Sequence, residues 1–224
     1  MANLFTRKLS IIELIVVFVV LALLLVWISV ITSRHPSRAT ARRVQDLSHL
    51  RQISTGVVSY AVDNEDYGPG LDSDGAILNA TVRHRYQLMV DPDYLRPDVF
   101  VSVYDDEKTI WTTGALSSDH YSYAMLQLTD SRTRLSAWRL DAGPEAVLLS
   151  GRNSGADAGT GVESIQSEIL GEWRGPVAWG DTHVTAELTH LIDTRYSPKG
   201  SVNIDDNLFE AEGMDDSYMI YEGD

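Results

Sequence analysis

The chain has 224 residues, 44% of them hydrophobic, a formal net charge of −14 and no cysteine. Disulfides, cysteine-ligated zinc and thiol catalysis are thereby excluded, and the length suits an anchor plus one domain, or at most two small domains. The charge is divided unevenly: residues 1–51 hold seven Lys/Arg and two Asp/Glu, a net of +5, whereas residues 52–224 carry −19. An acidic body repels phosphate, which argues against sequence-independent nucleic-acid binding.

Residues 1–8 form a short leader-like segment. Residues 9–31 then read LSIIELIVVFVVLALLLVWISVI, apolar on every side and broken only by Glu13. At about 1.5 Å per residue this run predicts a membrane-crossing helix, retained because it is long for a secretory signal and lacks a small-residue cleavage site. Glu13 lies near the start of the run. A carboxylate there either reaches the headgroups or pairs with a positive group on another chain. Arg34, Arg38, Arg42 and Arg43 follow, and this charge bias taken alone places the body in the cytoplasm.

His35-Pro36 interrupts the helix. Beyond it, within residues 32–62, Val44, Leu47, Leu50, Ile53, Val57 and Tyr60 recur every three or four positions, one apolar face of an amphipathic helix. Asp63-Asn64 and Gly68-Pro69-Gly70 end it. A short helix is expected at 83–90. Strands are expected at 99–104, 121–128, 146–150, 177–179 and 183–188, with Gly180-Asp181-Thr182 as a hairpin turn. Residues 153–161 read as a polar loop. Residues 197–217 read as an acidic surface excursion, before a final edge strand at 217–221.

Two groups of residues resemble a known family. Arg7-Lys8-Leu9-Ser10-Ile11-Ile12-Glu13 is similar to the prepilin-type N-terminus of type IV pilins and type II secretion pseudopilins, in which a Gly precedes the cut and Phe-Thr-Leu-Ile-Glu follows it. Leu50-Arg51-Gln52-Ile53, the stretch Tyr60 to Pro69 with Asp63, Asn64 and Tyr67, and Val177 to Val184 with Asp181 and His183 resemble, in the same order, segments of a pseudopilin-like subgroup. The chain departs from the pattern at Lys8, which stands where the family has Gly, at Val30, where it often has Pro, and at Thr182, where it has Gly.

The resemblance implies a pilin-like α+β fold: a long N-terminal transmembrane helix continuing into a helix packed on a small antiparallel sheet. It implies cleavage between Lys8 and Leu9 by a prepilin peptidase, and Glu13 as the assembly residue. It also implies a body at 63–196, followed by the acidic segment 197–224, outside the cytoplasmic membrane. The implied partners are other pilin-like subunits, an inner-membrane assembly platform and membrane lipid, with no nucleic acid. The implied role is structural and not enzymatic. The alternative is a single-pass anchored binding protein that is neither processed nor polymerised.

The sequence contains no G-x-S-x-G, Walker A, H-E-x-x-H or G-x-G-x-x-G motif. Asp181 and His183 read as turn and strand residues, and His183 and His190 lack a third zinc ligand. Asp72 with Asp74, or Asp205, Asp206 and Asn207, offer oxygens for calcium without EF-hand spacing. No cofactor and no metal ligand is expected.

Overall fold

The computed structural model describes residues 11–33, 38–128, 132–155, 161–166, 172–197, 200–211 and 216–222. The chain divides into two units, Met1–Ala41 and Arg42–Asp224.

Helix α1 spans Ile11–Ser33 and helix α2 spans Arg38–Asp63. This corrects the expected architecture, a pilin-like fold with one long transmembrane helix continuing into the amphipathic one. Among the described residues no helix is long and apolar enough to cross a membrane.

In the second unit, α2 buries Leu50, Ile53, Val57 and Ala61. Val44, expected on that face, is 61% exposed. Helix α3, Val82–Val90, begins at Thr81, whose side chain accepts the backbone N–H of His84 as an N-cap. Its Tyr86 packs 4.7 Å from Phe100 and 4.9 Å from Tyr121, and donates its hydroxyl to the Tyr123 carbonyl. Helix α4 is short, Arg132–Ala137.

Five antiparallel strands form the main sheet: β1 Tyr123–Leu126, β2 Val147–Gly151, β3 Gly175–Trp179, β4 Val184–Glu187 and β7 Met219–Ile220, in the order β4-β3-β2-β1-β7. Strands β1 and β2 are buried throughout, so they read as continuous apolar runs instead of alternating ones. Arg152, next to the end of β2, makes a two-point pair with buried Asp105, at 2.9 and 3.2 Å. Burial alone would lower the Arg152 pKa. The hydrogen bond and charge of Asp105 outweigh it and hold the guanidinium above its ordinary value.

Two local expectations fail. Residues 99–104 form no strand. A 3-10 turn at Pro97–Phe100 leads instead into a bend whose side chains point inward, Ser102 to Asp46 and Asp105 to Arg152. Residues 197–217 include a strand, β6 Asn203–Asn207, which pairs with β5 Leu191–Thr194 in a separate two-stranded sheet.

Candidate functional site

Glu13 lies in the first turn of α1. Lys8 and Leu9 fall outside the described residues. The remaining motif residues lie in the second unit, and there the two segments 63–69 and 177–184 converge on a third that carries no motif, residues 138–143.

Helix α2 ends as the pattern of Asp63-Asn64 predicted. The Asn64 side chain donates to the Tyr60 carbonyl at 2.7 Å, Asp63 accepts the Tyr94 hydroxyl at 2.6 Å, and Glu65 and Asp66 adopt positive φ of 54° and 69° to reverse the chain. The chain then runs beside residues 138–140. Gly68 N–H donates to the Trp138 carbonyl at 3.1 Å, and Leu140 N–H donates to the Asp66 carbonyl at 2.9 Å. Tyr67 bridges Arg139, whose guanidinium lies 4.8 Å above the Tyr67 ring. The Pro69 carbonyl accepts the indole N–H of Trp138 at 2.9 Å.

The second motif closes the other side. Gly180 donates to the Ala146 carbonyl at 2.8 Å, and a Cβ placed there would stand 2.4 Å from the Gly143 oxygen. At Gly68 a Cβ would stand 2.6 Å from the Trp138 indole nitrogen. Only glycine permits these two approaches. Val57, Ala61, Gly68, Trp138 and Gly180 together line a narrow apolar notch.

Asp181 and His183 face outward from the β3–β4 turn, each side chain 48% exposed. The Asp181 carboxylate accepts both the backbone N–H and the ring Nδ1 of His183, and the ring stacks on Trp179 with planes 5° apart. Partial burial works to raise the Asp181 pKa. The side-chain and backbone bonds to His183 and that ring's charge outweigh it, so the carboxyl sits below its usual range. The pair locks the turn. Thr182 occupies this turn at φ 68°, a left-handed conformation that a β-branched residue resists. Thr182→Gly is therefore expected to stabilise the protein by about 1 kcal/mol, read as a higher urea midpoint at unchanged slope.

Two of the carboxylates considered for calcium, those of Asp72 and Asp206, accept hydrogen bonds from the protein itself. Asp72 accepts the N–H groups of Asp74 and Ala76 at 2.9 and 2.8 Å. Asp206 is buried against the Thr194 hydroxyl, and Asn207 caps Phe209 N–H. Among the described residues no group of three His, Cys, Asp or Glu side chains is placed to hold a metal ion.

Asp46 is the polar site that sequence reasoning missed. It is 1% exposed. One oxygen accepts the Ser102 hydroxyl at 2.5 Å and the Tyr123 hydroxyl at 2.6 Å, and the other accepts the Gln166 amide. Burial pushes its carboxyl up, against the hydrogen bonds from Ser102 and Tyr123, the charge of His49 and the bond from Gln166. Its signal lay in the spacing: positions 46, 50, 53 and 57 continue one helical stripe, so the aspartate stood on the core face.

Arg85 is equally buried. Its Nη1 donates to the Leu126 carbonyl at 2.8 Å and its guanidinium lies 5.1 Å over the Trp138 ring, while Nε and Nη2 have no hydrogen-bond partner among the described residues. Burial pulls its pKa down to about 10, against the charges of Glu222 and the tyrosines Tyr86 and Tyr121. Asp46, Arg85 and the notch all join elements to one another, and none presents a reactive group to an open cleft. Comparison with family models, with curated proteins and with solved structures found no match.

Proposed function

We propose that the chain is a structural subunit, pseudopilin-like, that assembles through α1. The observation that supports this is the surface of that helix. Ile15, Val16, Val17, Phe18, Leu23, Leu25 and Trp27 are all at least half exposed, on every side of the helix. A helix apolar all round is stable only when covered, and each such side chain gains about 1.5–3 kcal/mol when fully withdrawn from water. Like helices from neighbouring copies provide that cover and pack by close van der Waals contact. Glu13, at the helix start, sets the register of neighbours by pairing with a positive group. The likeness of residues 7–13, 50–53, 60–69 and 177–184 to pseudopilin segments points the same way, toward an apparatus of the type II secretion or type IV pilus kind. Lys8 favours a second reading, an unprocessed tether that displays the acidic domain without polymerising.

The absence of native cysteine makes a direct test clean. The N-terminus of the protein recovered from producing cells is determined by mass, and Leu21→Cys is introduced into α1 for oxidative crosslinking. A start at Leu9, together with disulfide crosslinks between copies of the Leu21→Cys variant, is the expected result. An intact Met1 with no crosslinks in that variant would leave only the tether.

A further inference from the structure

The two-stranded sheet carries an exposed apolar face that the assembly reading leaves unused. Among the described residues from Arg42 onward, nine large apolar side chains are exposed, and four of them, Leu188, Leu191, Val202 and Ile204, lie on or beside β5 and β6. Ile204 is 75% exposed. On β5 the opposite face turns Ile192 and Thr194 inward, as strand alternation requires, whereas on β6 Asp205 at φ 53° breaks the alternation, so that Ile204 and Asp205 are both exposed and Asp206 and Asn207 both buried. Two exposed carboxylates stand among the outward apolar groups: Asp193 on β5 and Asp205 on β6, tied together because Asp205 N–H donates to the Asp193 carboxylate at 3.1 Å. A clustered apolar face with an acidic centre marks a contact surface.

The complementary surface lies on the same molecule. The first turns of α2 within the second unit expose Arg42, Arg43 and Val44, the last 61% exposed, and the segment up to residue 51 is the basic part of an otherwise acidic chain. We infer that the β5–β6 face of one copy docks on the Arg42–Val44 surface of a second copy, Leu191 and Ile204 covering Val44 while Asp193 and Asp205 face Arg42 and Arg43. The same negative centre disfavours an anionic lipid surface. Because the two patches differ, the contact is head-to-tail, and a head-to-tail contact that does not close on itself propagates as a filament. The opposite charges across it fix orientation and partner choice more than they add affinity. This inference rests on the assembly reading and supplies its second contact.

The test mixes full-length copies carrying Val44→Cys with copies carrying Ile204→Cys and oxidises them, with Leu21→Cys run in parallel. Disulfide-linked dimers are expected in the mixture and in neither variant alone. Adding Asp193→Lys to the Ile204→Cys copy should abolish them, and pairing that copy with Arg42→Glu/Arg43→Glu on the Val44→Cys copy should restore them. Thermal melts of each variant confirm that the domain is folded. Crosslinks in the Leu21→Cys variant without mixed dimers overturn the docking contact and leave helix assembly standing. Mixed dimers without crosslinks in the Leu21→Cys variant keep the contact and overturn helix assembly. If neither forms, both are overturned.

Discussion

Trp138→Ala is expected to lower the unfolding free energy by about 3–5 kcal/mol, the range for removing a buried tryptophan. The side chain is 1% exposed. One edge donates to the Pro69 carbonyl and one face carries the Arg85 guanidinium, while the indole nitrogen packs against Gly68 so closely that no Cβ fits there. Truncation opens a cavity that glycine cannot fill, strips the Pro69 carbonyl of its donor, and leaves a buried cation without the ring that faces it. Trp138→Phe separates these effects. It retains most of the volume and the aromatic face, and should cost about 1–3 kcal/mol, chiefly for the lost N–H donor. Urea unfolding measures both. Loss of less than about 1 kcal/mol in the alanine variant would show that the two motif segments do not depend on this residue.

Asp46→Ala is expected to cost about 2–4 kcal/mol, because it orphans the buried hydroxyls of Ser102 and Tyr123 and the Gln166 amide together. The charge of this group gives a sharper test. Its folded pKa is raised, so the folded state favours the protonated carboxyl. The resulting stabilisation is fully present below the unfolded value of about 3.9 and is lost as pH rises through the folded value. Asp46→Asn cannot titrate. Measured against it, wild type should be relatively most stable near pH 4 and should lose ground steadily as pH climbs above that. A stability difference that stays flat with pH, or that grows in wild type's favour, would rule out burial as the dominant influence on this carboxyl.

The elements visible in the sequence were those written in local patterns. The helical stripe of Leu50, Ile53 and Val57, the stop at Asp63-Asn64, the helix ending at Val90 and the apolar run that became β2 each depend on neighbours within a few positions. So does the hairpin at Gly180-Asp181-Thr182. Strand β6 escaped because Asn-Ile-Asp-Asp-Asn has low strand propensity, and it is held as a strand by pairing with β5 around a left-handed Asp205. Residues 99–104 misled in the opposite direction: their apolar composition promised a strand, but the inward side chains of Ser102 and Asp105 made a bend. The membrane-crossing helix was expected at 9–31 from the apolar run, and its continuation into a packed helix from the resemblance; the structure has α1 at Ile11–Ser33 and, among the described residues, no helix long and apolar enough to cross a membrane.

Local periodicity and turn residues thus determined α2, α3, β2 and the β3–β4 hairpin, because those choices are made within a turn or a pleat. Which motif residues meet was settled only by tertiary structure. Gly68, Trp138 and Gly180 line one notch although each is separated from the next by more than a strand and its connections. Asp46 bonds partners 56, 77 and 120 residues away. Contacts at such separations carry no periodic signal, and forming them requires closing long loops, a cost recovered only when the buried core forms around them. The docking face on β5 and β6 belongs to the same class, since its acidic and apolar groups come together only when β6 folds back on β5.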